Sequence, residues 1–392
     1  MMLTVDEAQR QLLALAEPLS PETINIKDGV ERTLAAPVLA RRDQPPADLS
    51  AMDGFAVRGR GPWQLVGEAR CGAPYGEALQ DRTAVYISTG AGVPPMSDGI
   101  VLIEDAHVED KTLAAASCGD PKWIRRRGFD FCKRDAIAQA GTLVGPAQIA
   151  LLRMAGLSTV SVAGRPRMTI IECGDELVAD PAAASGLQIP ASNGAMVAAM
   201  CRRTGANVRT IGPLPDEQSI IEQAFETETE QHLVVTIGGA SVGRHDLIRP
   251  ALERIGADLS FWKIAMRPGK PFMVARRGRQ TFIGLPGNPV SSFVTAYLFV
   301  LPYLRALEGR CACLPASTPL PLAAPLPAGG AREEFLRGQL VDGQVEPMTE
   351  RDSSALRALA GADLLIRRPV NAVPSKGGDT VPCYLLDIPA AG

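Results

Sequence analysis

Three acidic residues of the sequence each lie a few residues after an apolar, strand-like run: Glu176, Asp216 and Asp246. The carboxyl ends of parallel strands share one edge of a sheet, so we expect these carboxylates to converge. Such a set suits Mg²⁺ held beside a phosphate. Taken singly, Asp216 is equally well explained as a helix N-cap, Asp246 as a cap and Glu176 as a solvated loop carboxylate.

The third apolar run leads into GGASVGRHD, a stretch with three glycines. A loop that only reverses the chain needs one glycine, whereas several let backbone N–H groups approach an anion closely. The sequence is neither a Walker loop nor a GxGxxG motif. A tight loop that needs left-handed glycines is the alternative. The candidate ligand-binding residues here are Gly238, Gly239, Ser241 and Gly243.

Cations follow in the segment FWKIAMRPGKPFMV, which contains Lys263, Arg267 and Lys270. Charged runs are usually solvated, but these cations are embedded in apolar residues and stiffened by Pro268. That arrangement favours fixed binding of an anion.

A second turn, GLPGNPVSSF, joins a strand to a long apolar helix. The glycine allows the turn and the second proline begins the helix, so the N–H groups near Val290 and Ser291 are expected to be free for an anion. The candidate residues of this turn are Pro286, Gly287, Asn288 and Pro289.

The elements that carry these residues alternate between strand and helix from Arg167 onward. This order predicts a three-layer α/β domain over residues 167–310, with a mostly parallel sheet and helices on both faces. Its strands are predicted in RMTIIE, NVRTIG, HLVVTIG and TFIGLPGNP.

The remaining chain predicts three further parts. Residues 1–46 and 137–166 form a helical and extended region, which begins with a capping box at Thr4 and Glu7. Residues 47–136 form an inserted β-rich domain between two helical pieces that pack together. Residues 311–392 form a linker and a small C-terminal β barrel.

Composition excludes several classes of protein. The chain has 392 residues and a net charge of −3, which gives no reason to expect nucleic acid or an anionic membrane. No secretory signal or membrane-spanning run is expected, and VSSFVTAYLFVLPYL is predicted to be a buried helix. Eight scattered cysteines without a CxxC pair predict a reducing, cytoplasmic environment.

Eight motifs occur in an order that resembles the molybdopterin molybdenumtransferases, the MoeA-type enzymes similar to the gephyrin E-domain. The resemblance covers nearly the whole chain. The motifs are MDGFAV, STGAGVP, RRRGFD, CGDEL, GGASVGRHD, KIAMRPGKP, GLPGNPVSS and REEFLRGQL.

The resemblance implies insertion of molybdate, the co-substrate, into adenylylated molybdopterin with Mg²⁺-dependent release of AMP. This is the last step of molybdenum-cofactor synthesis. It also implies a homodimer whose cleft is shared between subunits, together with contacts to other proteins of that synthesis. Asp53, Thr89 and Asp130 of the inserted domain would reach the cleft of the partner subunit as catalytic residues.

The resemblance assigns the other residues as well. Glu176, Asp216 and Asp246 would be catalytic and would bind Mg²⁺, and the glycine loop would hold the phosphate or the pterin. Lys263, Arg267, Pro268 and Lys270 would lie near molybdate and phosphate. Arg337, with Ser353 or Ser354, would close the oxyanion site from the last domain.

Departures from the family pattern motivate the alternatives. Phe129 stands where the family has an acidic residue, which suggests a paralogue that binds molybdopterin or a partner without catalysis. A molybdopterin adenylyltransferase would share the α/β domain but would not need the inserted and C-terminal parts. Tungstate has nearly the size and charge of molybdate, so a preference for either is open.

Overall fold

The computed structural model describes residues 2–239 and 247–386, except for the side chain of Trp262. Ser241, Gly243 and Asp246 therefore lie outside the described residues. The first 166 residues contain helices α1 (Val5–Ala14) and α2 (Pro146–Met154). Their strands are β1 (Pro21–Asn25), β2 (Val38–Leu39), β3 (Leu49–Ser50), β4 (Gly54–Val57), β5 (Trp63–Ala69), β6 (Thr83–Ile87), β7 (Gly99–Leu102), β8 (Ala106–Glu109), β9 (Thr112–Ala115), β10 (Ile124–Arg125), β11 (Ala136–Ala138) and β12 (Thr159–Ala163).

Helix α1 begins with the predicted capping box, in which Thr4 and Glu7 exchange hydrogen bonds. The segments that flank the inserted domain do pack together, but not through their helices as the sequence suggested. They join as antiparallel strands, β1 with β12 and β2 with β11. Helix α1 packs instead against the long apolar helix of the α/β domain, because its buried face matches that core.

The inserted domain contains a six-stranded sheet in the order β7-β4-β6-β5-β9-β8. One face of its central strands packs around Ile87 and Ile100, and the other around Trp63 and Val101. Two buried faces give these short strands an apolar core of their own.

The α/β part of the chain follows. Its strands are β13 (Arg167–Cys173), β14 (Leu177–Val178), β15 (Ile189–Pro190), β16 (Asn207–Leu214), β17 (Leu233–Ile237), β18 (Asp258–Trp262), β19 (Met266–Arg267), β20 (Met273–Arg277) and β21 (Gln280–Leu285). Its helices are α3 (Asn193–Arg202), α4 (Gln218–Thr227), α5 (Ile248–Arg254), α6 (Pro289–Thr295) and α7 (Leu301–Leu307).

The sheet of this part has the order β16-β13-β17-β21-β20-β18. The first four strands are parallel, as predicted, whereas β20 pairs antiparallel with both β21 and β18. Helices α1, α3, α6 and α7 cover one face of the sheet, and α4 and α5 cover the other. The arrangement has three layers.

Helices α6 and α7 are joined by a π-helical segment, Ala296–Val300. In the described part of the chain, Pro289–Leu307 is the one helical stretch long and apolar enough to cross a membrane by composition. In its most apolar window 78% of the residues are buried inside the protein. The predicted buried helix is therefore confirmed.

The C-terminal part contains helix α8 (Leu356–Ala360) and strands β22 (Thr318–Pro321), β23 (Glu333–Val341), β24 (Gln344–Pro347), β25 (Leu364–Arg368) and β26 (Thr380–Leu385). They form a curled sheet, β19-β23-β25-β26-β22, with β24 also on β23. Leu322, just after β22, bridges Val345 of β24. The segment predicted as a linker thus contributes the edge strand β22. The sheet is a half-barrel, and among the described residues this one bridge connects its two edges.

Candidate functional site

The carboxyl ends of the four parallel strands lie level with one another. Ile237 of β17 pairs with Glu172 of β13 on one side and with Leu285 of β21 on the other. Cys173 pairs with Leu214 of β16. The loops that leave these strands therefore start at one edge of the sheet, as predicted from the sequence.

Two of the three predicted Mg²⁺ ligands, Glu176 and Asp216, are exposed at this edge. Asp175 fixes the Asp216 loop, because its Oδ1 accepts the backbone N–H of Asp216 at 3.0 Å. Asp216 is not a helix cap: α4 has Glu217 as its N-cap residue, with no side-chain capping bond. Among the described residues no cluster of three ligands forms, and Asp246 lies outside them.

The first two glycines of the loop are required by the backbone itself. Gly238 has φ +88°, and a Cβ there would lie 2.3 Å from the carbonyl oxygen of Cys173. Gly239 has φ +65°, and a Cβ there would lie 3.0 Å from Ile248. The tight-loop explanation accounts for this pair. Close approach to an anion stays a prediction that depends on residues 240–246.

A cavity of about 380 Å³, here called the strand-end cavity, opens at this edge. Four predicted residues line it: Glu176, Gly238, Gly287 and Pro289. The turn to α6 is built as expected, with Asn288 as N-cap and Pro289 as first residue. The carbonyl of the buried Pro286 accepts the hydroxyl of Ser292, which secures the turn.

Two polar residues of the strand-end cavity were missed by the sequence analysis. Glu172 is buried at the end of β13, and its oxygens accept the N–H groups of Asn193 and Gly194 at 3.2 and 2.9 Å. Asn193 donates its side-chain amide to the Gly287 carbonyl at 2.6 Å. Its Oδ1 is buried and accepts no hydrogen bond from the described residues. Glu172 is the last residue of the apolar run RMTIIE, so the sequence pattern there indicates the end of a strand and gives no sign of a binding site.

Burial governs ionisation in this cavity. It raises the pKa of Glu172, although the N–H groups of Gly194 and Asn193 oppose the shift. It also raises the pKa of the Cys173 thiol to about 12, with added repulsion from Asp216 and Glu172. Cys173 is therefore a neutral thiol near pH 7 and not a nucleophile.

A second cavity of about 480 Å³, here called the basic cavity, lies between the α/β layers and the C-terminal half-barrel. The predicted residues that line it are Arg267, Pro268, Lys270, Arg337 and Ser353. Arg267 is held there because β19 pairs with β23, so the basic segment forms an edge strand of the half-barrel. Lys263 is not part of this lining, and its backbone N–H donates to the Phe272 carbonyl.

Arg337 is buried and anchors a loop. Its guanidinium donates to the carbonyls of Ala355, Glu350 and Asp352 at 3.2, 2.6 and 3.1 Å. Burial lowers the pKa of Arg337, and the Glu350 carboxylate opposes this. Most of its hydrogen bonding is thus directed to the loop, which differs from the predicted contact with an oxyanion.

Three further arginines, Arg332, Arg351 and Arg368, line the basic cavity and were missed. Arg351 lies near Glu334 and the other cations, and burial lowers its pKa. Arg368 is buried and binds the loop carbonyls of Pro327 and Val373. Arg351 precedes the predicted Ser353 by two residues, a proximity that could have identified it.

The start of α6 separates the two cavities. Pro289 lines the strand-end cavity, whereas Val290 and Ser291 line the basic cavity. The expectation that the Val290 N–H is free was wrong, because it donates to the Ser353 carbonyl at 3.0 Å. The Val290 N–H is thus already bonded to the C-terminal part of the chain. Of the two predicted serines, Ser354 directs its hydroxyl to Asp352 at 2.6 Å.

The predicted residues of the inserted domain line neither cavity of the single chain. Asp53 and Thr89 lie together, with Asp53 Oδ1 accepting the Thr89 N–H at 2.7 Å. The Asp130 N–H donates to the Gln44 carbonyl at 2.9 Å. The neighbouring Phe129 is 76% exposed, so its ring adds little to the core.

Comparison with known families gives three matches that together span most of the chain. The MoeA N-terminal region (domain I and II) matches residues 3–156. The probable molybdopterin binding domain matches residues 169–306. The MoeA C-terminal region (domain IV) matches residues 319–386. The match therefore includes the inserted and C-terminal parts.

Similar proteins agree with these matches. The molybdopterin molybdenumtransferase of Haemophilus influenzae is 34% identical over 318 residues, 79% of this chain and 78% of that protein. The molybdopterin molybdenumtransferase of Staphylococcus aureus is 26% identical, with 99% of this chain and 97% of that protein covered.

A solved MoeA protein of Pyrococcus horikoshii shares the fold, with a TM-score of 0.86 at 23% identity, covering 98% of this chain and all of that one. The chain belongs to the molybdopterin molybdenumtransferase family and is a transferase of molybdenum-cofactor biosynthesis.

Proposed function

We propose that the chain inserts molybdate into adenylylated molybdopterin at the carboxyl edge of its parallel sheet, with release of AMP. The observation that carries this proposal is the position of α6. Its first turn lies between a cavity with carboxylates and one with arginines and a lysine. A phosphorylated pterin in one cavity and a tetrahedral dianion in the other would be neighbours.

The strand-end cavity would hold the phosphorylated pterin. Apolar walls from Leu177, Ile189 and Leu356 face its polar groups, which suits a flat heterocycle with hydrogen-bonding edges. The unpartnered Oδ1 of Asn193 supports a ligand that brings an N–H or O–H donor, since a buried acceptor gains most from such a partner.

The basic cavity would hold molybdate. Arg267, Lys270 and Arg351 supply positive charge, and the Ser353 hydroxyl, which Asn288 contacts at 2.8 Å, supplies a polar neighbour. Guanidinium and ammonium donors suit a tetrahedral oxyanion. Arg337 positions this site by holding the loop on which Ser353 lies.

The donor set at the edge fits Mg²⁺. Glu176 and Asp216 are exposed carboxylates on adjacent loops, and hard oxygen ligands are those this ion prefers. Bound there with Asp246, it would supply charge neutralisation at the cleaved phosphate. Asp175 would keep the Asp216 loop in place through the hydrogen bond described above.

The active cleft would be completed by a second copy of the chain. Asp53 and Thr89 form a fixed pair outside the cavities of the single chain, and with Asp130 they would face the partner's strand-end cavity. A cytoplasmic enzyme is supported by the eight cysteines, all free thiols.

AMP release from adenylylated molybdopterin with Mg²⁺, measured with and without molybdate, tests the proposal. We expect release that depends on molybdate, and tungstate in its place reports the metal preference. Tight binding of the substrate without AMP release would contradict the proposal and indicate a binding paralogue. Failure to bind the substrate would reject the assignment of both cavities.

A further inference from the structure

The opposite edge of the α/β sheet contains a larger cavity, of about 1070 Å³. It lies where the parallel strands begin, because Arg167 and Asn207 are the first residues of β13 and β16. Its other wall comes from the segments around β1 and β12. It is thus distant from the carboxyl edge, and no step of the proposed reaction uses it.

This cavity, here called the arginine cavity, is lined by five arginines and three glutamates. The arginines are Arg32, Arg165, Arg167, Arg277 and Arg279. We propose that the arginine cavity binds a small, multiply charged phosphate compound.

The first argument is the excess of positive charge. Arg32 pairs with Glu22 at 2.5 Å, and Arg279 with Glu17 at 2.9 Å. The remaining cations, Arg165, Arg167 and Arg277, form no ion pair with a carboxylate in the described part of the chain. They keep their full charge toward a ligand.

The second argument is preorganisation. The Arg165 guanidinium donates to the Gly205 carbonyl at 2.8 Å, and Arg167 donates twice to the Glu230 carbonyl. Arg277 donates to Gln280 at 2.8 Å. A guanidinium has five N–H donors, so these bonds fix the groups and leave donors for an anion.

His232 adds a donor of defined direction. Its Nδ1 accepts the backbone N–H of Arg167 at 2.9 Å, so the neutral ring carries its proton on Nε2. Burial lowers the pKa of His232, and Arg167 and Arg279 lower it further. The ring is thus a neutral donor beside two cations.

The lining also limits the ligand. It contains no phenylalanine, tyrosine or tryptophan, so a nucleotide base would find none of these side chains to stack on. Clustered guanidinium groups favour phosphate, which accepts bidentate hydrogen bonds. A compact polyphosphate anion therefore matches the site better than a nucleotide.

Titration calorimetry of the full-length protein with inorganic pyrophosphate, at low ionic strength and without divalent cations, tests the proposal. The test variant is Arg165→Gln/Arg167→Gln, since both side chains are exposed, neither is ion-paired in the described part of the chain, and their loss leaves the core intact. The matched control, Arg60→Gln/Arg357→Gln, removes the same charge from exposed sites elsewhere.

We expect the test variant to bind pyrophosphate about tenfold more weakly or to lose one binding equivalent, with the control within about twofold of the wild type. Molybdate-dependent AMP release should stay within about twofold in both variants. Arg267→Gln should affect AMP release and leave this binding event in place, which separates it from the basic cavity.

Three results would overturn the proposal. One is a wild-type protein that does not bind pyrophosphate at millimolar concentration. Another is a test variant that titrates like the wild type. The third is an equal loss of affinity in the control, which would indicate attraction by overall charge rather than a built site.

Discussion

Asn288 donates its side-chain amide to the hydroxyl of Ser353 at 2.8 Å, which joins the first turn of α6 to the C-terminal half-barrel. A backbone hydrogen bond joins the same two segments, because the Val290 N–H donates to the Ser353 carbonyl. Two parts of the chain separated by more than sixty residues thus share one wall of the basic cavity.

This contact separates the roles of the two serines. Ser353→Ala should raise the molybdate concentration for half-maximal AMP release by about tenfold, because it removes a hydroxyl that lines the cavity. Ser354→Ala is the matched control, since its hydroxyl is bound to Asp352, and a change below about twofold is expected. Steady-state titration of molybdate measures both, and equal effects would contradict the distinction.

Arg337 is expected to act on stability as well as on molybdate binding. Arg337→Ala leaves three loop carbonyls without their donor and should lower the free energy of unfolding by about 2–4 kcal/mol. Denaturant unfolding measures the change. Arg337→Lys keeps the charge but not the fork of donors, so it should recover little. Unchanged stability with weakened molybdate binding would indicate a direct ligand instead.

Asp216→Asn should reduce AMP release at saturating molybdate by roughly 100-fold or more, because the amide is a poorer ligand for Mg²⁺. Glu217→Gln is its control, since Glu217 adjoins Asp216 and its carboxylate accepts the Ser219 hydroxyl rather than a backbone N–H of α4. Its rate should stay within about twofold. Initial rates over a range of Mg²⁺ concentrations distinguish the two, and a fully active Asp216→Asn would exclude the metal assignment.

A cleft shared between subunits predicts complementation. Asp53→Ala and Asp216→Ala should each be inactive, because each removes one half of every site. After the two variants are unfolded and refolded together, about a quarter of the wild-type activity should return, since mixed dimers retain one intact site. The absence of any recovery, with mixed dimers confirmed by mass, would place both residues in one subunit's site.

Glu172 gives a pH dependence of stability with a defined sign. Burial raises its pKa above the ordinary value of 4.5, so the folded protein binds this proton more tightly than the unfolded chain does. Its contribution to stability is complete below pH 4.5 and is lost as the pH rises through the raised pKa. The unfolding free energy of the wild type minus that of Glu172→Gln should therefore decrease as the pH increases. An increase in this value with pH would mean that the pKa of Glu172 is lowered by folding and not raised.

Local patterns predicted the parallel strands of the α/β part because each combines an apolar run with a turn that ends it. Strands β18 and β20 were missed, since they flank and overlap the two ends of the segment that was interpreted only as a basic, anion-binding stretch. Arg351 and Asn193 were missed for another reason. Neither residue type nor spacing marks Asn193, and Arg351 is marked only by its nearness to the predicted serines. Both become part of a site when distant loops meet. The role of Arg337 could not be predicted from the sequence, because its partners are backbone carbonyls, and every residue type supplies such a carbonyl.

Helix α1 has a consequence for the order in which the chain acquires its structure during synthesis. Gln9 donates its side-chain amide to the carbonyl of Leu298, 289 residues later in the chain. On the ribosome, the apolar face of Val5, Ala8 and Leu12 must wait for that partner while the inserted domain can already fold. Helix α1 is therefore packed long after it is synthesised, and a chain that stops before α7 would leave this face open to aggregation.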